Sequence, residues 1–312
     1  MRLTTFRADL LLLAAAVIWG SGFVAQKLGS EHLQAFAFTG LRFTLGTVLL
    51  LPLLAIAPWP THIDRTKARR ATLLGGLSAG LVMMLAANAQ QHGIAGTTAS
   101  NSAFITSLYV VFVPFIAIAV TRHRLGWRVW TGVAVAIIGL LLLGINRDFH
   151  INVGDPWVLL CALLWAFHVV IVGIYSKDAE PIRFSLIQLA MTGVGALMVA
   201  FSRDEITADN IERAKWALLY GACLPVAVAF TLQVVAQRKA PPTHTALILS
   251  LESVFGMICG IAFLGDRPTM QQYTGALLML AGVVVSQLPQ RKNGASVTTD
   301  STQEIASDPQ PR

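Results

Sequence analysis

Two ionisable side chains stand deep inside apolar stretches of this 312-residue sequence. They are Arg42, within the run 34–57, and Glu252, within the run 243–264. A charge at the centre of an apolar helix costs about 2.5–3.5 kcal/mol on insertion scales, so it normally faces a cavity or a partner. Two chemistries suit such a pair. Arg42 can meet a carboxylate while Glu252 meets an amine or a proton. Alternatively the two neutralise each other, or bond to neighbouring backbone.

Other polar and aromatic residues in such stretches extend the set. Trp19 and Trp165 lie about ten residues into their runs, deeper than the interfacial positions where membrane aromatics usually anchor. They suit a cavity wall or ordinary helix packing. His168 follows Trp165 by three residues and so shares its helix face. A titrating imidazole there could couple a process to protons, as could Glu252, and a neutral hydrogen-bonded His168 is the other reading. Gln90, Gln233, Asn101 and His244 fall toward the ends of apolar runs, where amides and imidazoles orient polar ligands or tie helices together. Tyr109 and Gln188 complete the list, for a reason that comes from the repeat.

The elements that must hold these residues are written twice. A shift of 143 residues carries His244 onto Asn101, Ser250 onto Ser107, Leu251 onto Leu108, Glu252 onto Tyr109 and Phe255 onto Phe112. The same shift brings Gln233 onto Gln90, Thr274 onto Thr131, Gly275 onto Gly132 and Gly282 onto Gly139. A shift of 146 relates Asp9 to Asp155, Trp19 to Trp165, Phe38 to Phe184, Thr39 to Ser185 and Arg42 to Gln188. An offset that stays constant within each stretch, with a three-residue difference between the two stretches, marks an internal repeat. Arg42 and Glu252 therefore come from different halves and align with the neutral Gln188 and Tyr109. The expectation is one central cleft lined by Trp19, Trp165, Arg42, Gln188, Tyr109 and Glu252.

Composition gives the solvent of this fold. Hydrophobic residues make up 55% and charged residues 12%, about half the charge of a soluble domain, with a mean hydropathy of +0.64. Ten apolar runs are long enough for helical spans of about 20 residues: 8–26, 34–57, 70–92, 97–120, 127–145, 154–176, 182–202, 214–236, 243–264 and 269–289. A β-barrel would show alternating segments of about ten residues instead. The expected fold is an all-α integral membrane protein with ten transmembrane helices, arranged as two inverted-topology repeats of five. The repeats cover 8–146 and 154–290, and a polar tail, 291–312, is expected to be disordered. Five is odd, so the second repeat enters the membrane from the opposite side. Such repeats place a site between the halves near the midplane.

The net charge of +7 is mainly topological. With the N-terminus cytoplasmic, the inner segments hold 16 Lys and Arg against 6 outside, leaving Arg42 within a span. That bias puts both termini in the cytoplasm and argues against nucleic acid as partner. The lipid bilayer and a small molecule are the partners expected, with the chain a monomer or homodimer. Arg2 and Arg7 before an apolar run could pass for a signal peptide, but the segment has an internal counterpart and is expected to be retained. The outer segment 203–213 is mixed in charge and suits a short interfacial helix. Pro52, Pro114 and Pro225 are expected to kink their helices, and the glycines at 132, 139, 275 and 282, spaced seven apart in each pair, to let helices approach closely. Cys161, Cys223 and Cys259 lie in apolar runs without metal-ligand spacing. No phosphate-binding loop or ATPase motif is present, so no cofactor is expected and the process must be secondary or facilitated.

Trp19-Gly20-Ser21-Gly22-Phe23, Arg42, Ser250-Leu251-Glu252-Ser253-Val254-Phe255, Leu264-Gly265-Asp266 and Gly275 carry a resemblance. Their order and spacing over residues 8–290 resemble the EamA-type branch of the drug/metabolite transporter superfamily. Two positions depart from that pattern: Ser253 stands where the family often has proline, and Asp266 where it usually has glutamate. The missing proline predicts a straighter ninth helix. The resemblance implies ten helices in two inverted bundles and the movement of small metabolites, often the export of amino acids. The reading is a bacterial-type inner-membrane secondary transporter working by alternating access, and not an enzyme. Two rivals stand beside it: an intramembrane enzyme with His168, Tyr109 and Glu252 as acid/base groups, and a channel or non-transporting membrane partner.

Overall fold

A computed structural model describes residues 5–59, 63–122, 125–144, 152–264 and 267–287. Gly265 and Asp266 of the motif, the residues 145–151 between the halves and the tail 291–312 lie outside the described residues. Ten apolar helices follow one another: α1 (Thr5–Gly29), α2 (Ala35–Ile56), α3 (Arg65–Ala95), α4 (Ala99–Thr121), α5 (Trp127–Gly144), α6 (Asp155–Tyr175), α7 (Pro181–Arg203), α8 (Ala208–Gln237), α9 (Pro242–Phe263) and α10 (Met270–Gln287). Eight are long and apolar enough to cross a membrane; α5 and α10 are shorter, at 18 residues each.

Several helices outrun their apolar windows because side chains cap them. The Asp64 carboxylate accepts the backbone N–H groups of Thr66 at 2.8 Å and Lys67 at 3.1 Å, which starts α3 at Arg65, before its apolar window. Those bonds favour the ionised carboxylate and hold Asp64 below its ordinary pKa. Thr207 accepts from Asn210 N at 3.2 Å and opens α8. The interfacial helix expected within 203–213 is therefore not separate: its amphipathic residues form the first turns of α8, with no breaker between them and the apolar part.

The prolines act unequally. Pro52 sits in a 3₁₀ turn, Leu51–Ile56, that ends α2. Pro114 lies inside Tyr109–Thr121 without breaking it. Pro225 lies in a π-helical stretch, Ala222–Ala229. Proline removes an N–H and crowds the carbonyl four residues back, and a wider turn relieves both. Helix α9, expected to be straighter for want of proline, has its α-helical bonding interrupted at Ser250 and Leu251, both of which keep right-handed helical backbone angles. Its helix breaks after Leu249 and resumes at Glu252, with Leu251 N bonded to Ile248 O at 3.2 Å. Ser253 Oγ also donates to the Ser250 carbonyl at 2.9 Å, inside this tightened turn. Helix α4 breaks at the matching Leu108, between Ser107 and Tyr109. The two breaks meet where Ser107 Oγ donates to Ser250 O at 3.3 Å.

Corresponding helices of the two halves run antiparallel against each other. A Cβ built on Gly132 would stand 2.7 Å from Gly282 O, and one on Gly139 2.6 Å from Gly275 O. As the number rises along α5 it falls along α10. The same holds for α2 and α7, where Gly40 abuts Leu197 and Gly193 abuts Thr44. The packing repeats about the same two-fold: α3 against α6 is answered by α8 against α1, and α4 against α6 by α9 against α1. This is the arrangement of two inverted repeats. Small residues face inward and large ones outward. On α3, Gly75, Gly76, Ala79 and Gly80 are buried while Leu73, Leu77, Leu81 and Leu85 are exposed, as expected where lipid supplies no drive to bury leucine.

Candidate functional site

A cavity opens between the halves, with about 570 Å³ of empty space including its mouth, lined from α1, α2, α3, α4, α6, α8 and α9. Its position follows from the repeat. The α1 residues Trp19, Phe23 and Gln26 share one face at helical spacing, and the matching Trp165 of α6, with His168 and Val169, faces them. Helices α2 and α8 close the sides with Arg42, Phe43, Phe230 and Gln233. Tyr109 and Glu252 enter just past the helix breaks in α4 and α9.

The walls are aromatic and fixed. Phe230 lies between the two matched tryptophans, 4.9 Å from the Trp19 ring and stacked on Trp165 at 5.6 Å. Trp19 Nε1 donates to the Pro225 carbonyl at 3.0 Å, in the π-helical turn of α8. Trp165 Nε1 donates to Gln90 Oε1 at 3.2 Å. Both rings are thereby held at defined angles.

The charged groups are buried and do not pair with each other. Arg42 is 4% exposed, its guanidinium 5.3 Å from the Phe38 ring centre and 5.2 Å from that of Phe43. Among the described residues no carboxylate lies within ion-pair distance of it, and its Nε has no hydrogen-bond partner. Glu252 is also 4% exposed. Its polar neighbours are the hydroxyls of Tyr109 and Ser107, yet Glu252 Oε1 and Tyr109 Oη are both left without a hydrogen-bond partner. Gln26 Oε1 and Gln233 Oε1 are unpartnered as well. Buried polar atoms in native proteins are normally satisfied. One cavity thus collects a cation and a carboxylate that lack ionic partners among the described residues and several idle acceptors, an arrangement that suits a polar ligand.

Of the residues singled out from the sequence, Trp19, Arg42, Tyr109, Trp165, Glu252, Gln90, Gln233 and His168 line this cavity. Gln188 does not. It is fully buried behind the wall, its Oε1 accepting from His168 Nε2 at 3.1 Å. Asn101 and His244 also lie outside the cavity, near the helix starts, where Asn101 Nδ2 donates to Asp155 and His244 Nε2 meets Asp9, each at 2.7 Å. Apolar patterning places a residue on a helix without giving the direction of its side chain across the bundle, so the three could not be sorted from their alignment. Tyr109 lies beside Glu252, whereas His168 Nε2 is turned to Gln188 at 3.1 Å, so the three are not joined in the way an acid/base constellation needs.

Phe230, Phe43, Thr106 and Gln26 line the cavity and were not foreseen. Gln26 had a signal, lying seven residues after Trp19 on the same face. Phe230 had none, because the 143-residue shift matches it with Ala87.

Comparison with known proteins places these observations. The sequence matches the model of the EamA-like transporter family over residues 6–145 and 152–287, once for each half. It is 31% identical over 282 residues to an uncharacterized transporter of Archaeoglobus fulgidus, covering 90% of this chain and 86% of the relative. It is 24% identical to a probable terminal-alkyne amino-acid exporter of Streptantibioticus cattleyicolor, covering 88% of this chain and 91% of that one. Its identity to a threonine/homoserine exporter of Escherichia coli is also 24%, over 91% and 92% of the two chains. A solved crystal structure superposes with a TM-score of 0.73 at 14% identity, covering 90% of this chain and 96% of the other, which is a likeness of fold.

Proposed function

Since this chain belongs to the EamA-like transporter family, we propose that it moves a small zwitterionic metabolite by alternating access, as an exporter of amino acids or related compounds. A transporter of this family is a multi-span membrane protein that takes a small-molecule substrate, and it is not an enzyme. The finer reading rests on one observation above all. Arg42 and Glu252, from opposite halves, face the same cavity without touching each other. A substrate carboxylate at Arg42 and an ammonium at Glu252 would satisfy both, each through a charge-assisted hydrogen bond roughly twice as strong as a neutral one. Trp19, Trp165 and Phe230 would cover the apolar part of the molecule. Relatives named as exporters of amino acids support the class.

The test is flux through purified protein in liposomes. Preloaded amino acid should drive saturable counterflow of labelled amino acid. Flux that rises linearly with concentration and shows no counterflow would mean a channel, and no flux for any zwitterion would end this substrate reading.

The membrane is a cytoplasmic one and both termini face the cytoplasm, on the strength of the 16-to-6 bias in Lys and Arg. Topology reporters fused after Arg291 and inserted at Asp148 should report cytoplasm and exterior respectively. Both on one side would refute the inverted arrangement in the membrane.

A further inference from the structure

Among the polar contacts between the two halves, two are counterparts through the repeat. Asp9 of α1 meets His244 of α9 through Oδ1 and Nε2 at 2.7 Å. Asp155 of α6 accepts through Oδ1 from Asn101 Nδ2 of α4, also at 2.7 Å. The 146-residue shift relates the two aspartates and the 143-residue shift relates His244 to Asn101. Each contact therefore joins the first helix of one half to the fourth helix of the other.

Their placement separates them. The halves run antiparallel, so equivalent contacts lie at opposite ends of the bundle. Asp9 precedes Trp19, and Asp155 precedes Trp165, by the same ten residues, or about 15 Å of helix. The cavity thus lies midway between the two contacts. On either side the partner sits on a short helical piece of its own. Asn101 is on Ala99–Ser107, which ends at the break before Tyr109, and His244 is on Pro242–Leu249, which ends at the break before Glu252. Each piece has a contact at its outer end and an interruption of its α-helical bonding at the cavity.

We propose that these contacts are the two gate latches of the transport cycle, Asp9–His244 on the cytoplasmic side and Asp155–Asn101 on the exterior side. The proposal rests on the alternating-access reading and assigns residues to it. Opening one end means releasing one latch and swinging one half-helix about Leu251 or Leu108 while the other latch holds. The ends are not identical. The exterior end also has a backbone bond between the halves, Gly154 N to Gly96 O at 3.4 Å. A Cβ on Gly96 would stand 2.9 Å from Gly154 N, so that seam has no room for side chains. At the cytoplasmic end the glycine at 154 is matched by Ala8, which is fully buried.

Sided labelling of a cavity cysteine tests this. Thr106→Cys and Leu249→Cys are made singly in a background with Cys161, Cys223 and Cys259 changed to Ala. Both positions line the cavity, and the repeat relates them. A membrane-impermeant thiosulfonate is applied to intact cells and, separately, to inside-out vesicles. Asp9→Ala or His244→Ala should speed labelling from the cytoplasmic side on the order of tenfold, the equivalent of one lost hydrogen bond to a charged group, and slow it from outside. Asp155→Ala or Asn101→Ala should do the reverse. His244→Asn copies the residue of the exterior latch, so it should restore the labelling that His244→Ala alters and gives a folded variant in which to read the result. Labelling that changes equally from both sides, or not at all, overturns the proposal. Counterflow by the unmutated protein is measured in parallel. Its absence alongside sided shifts would count against amino acids as the substrate while leaving the latches standing.

Discussion

Replacing Arg42 by Gln should sharply impair transport and leave the protein at least as stable as before. The same holds for Glu252→Gln. Each residue is 4% exposed, and Arg42 has no ionic partner among the described residues. A buried charge without a partner costs folding energy, so its neutral counterpart removes a penalty instead of breaking a pair. Transport responds oppositely. A hydrogen bond to a charged group contributes about 1.5–3 kcal/mol, so losing one should lower the transport rate at limiting substrate by roughly tenfold to a hundredfold or more. Thermal unfolding and counterflow on the two single variants and the double variant check this together. Were Arg42 and Glu252 a structural pair, each single change would destabilise by roughly 3–5 kcal/mol and the double would partly recover. That pattern, or normal transport by either single variant, would remove the substrate role. A gain in stability at the expense of function is the usual mark of a binding site.

Gly139→Ala should destabilise the protein while Gly221→Ala should not, although the chemical change is the same. A Cβ on Gly139 would stand 2.6 Å from both Gly275 O and Met279 N, backbone atoms of the facing helix that cannot rotate away. Helices α5 and α10 would have to part, and overpacking of this kind costs about 1–3 kcal/mol. Gly275→Ala meets Gly139 O at 2.5 Å and should behave alike. At Gly221 the nearest atom is the Cδ of Arg42 at 3.6 Å, an ordinary contact. There alanine should show its helix preference over glycine, about 0.8–1.0 kcal/mol. Thermal shift in detergent on the three variants gives the comparison. If Gly139→Ala and Gly275→Ala match or exceed the unmutated protein, α5 and α10 are not seated as described.

The sequence by itself determined the solvent, the number of helices and the duplication, and it brought forward eight of the seventeen cavity-lining residues. These are one-dimensional properties. Whether a run of residues can enter a bilayer depends on its own composition, and a constant offset needs no coordinates to be seen. The depth of Trp19, Trp165, Arg42 and Glu252 in their runs was enough to bring them forward. The tertiary structure decided what depends on direction. Gln188 shares Arg42's place in the repeat but turns behind the wall to His168. Asn101 and His244 read as cavity amide and imidazole, yet they reach across to Asp155 and Asp9, 54 and 235 residues away. The break in α9 arises where Ser253 and Ser107 both donate to one carbonyl, and half of that geometry comes from the other repeat. Whether Arg42 and Glu252 neutralise each other or stand apart is settled by the packing of seven helices. The aromatic wall around Phe230 and the fixed distances between halves set that packing, and no offset along the chain encodes it.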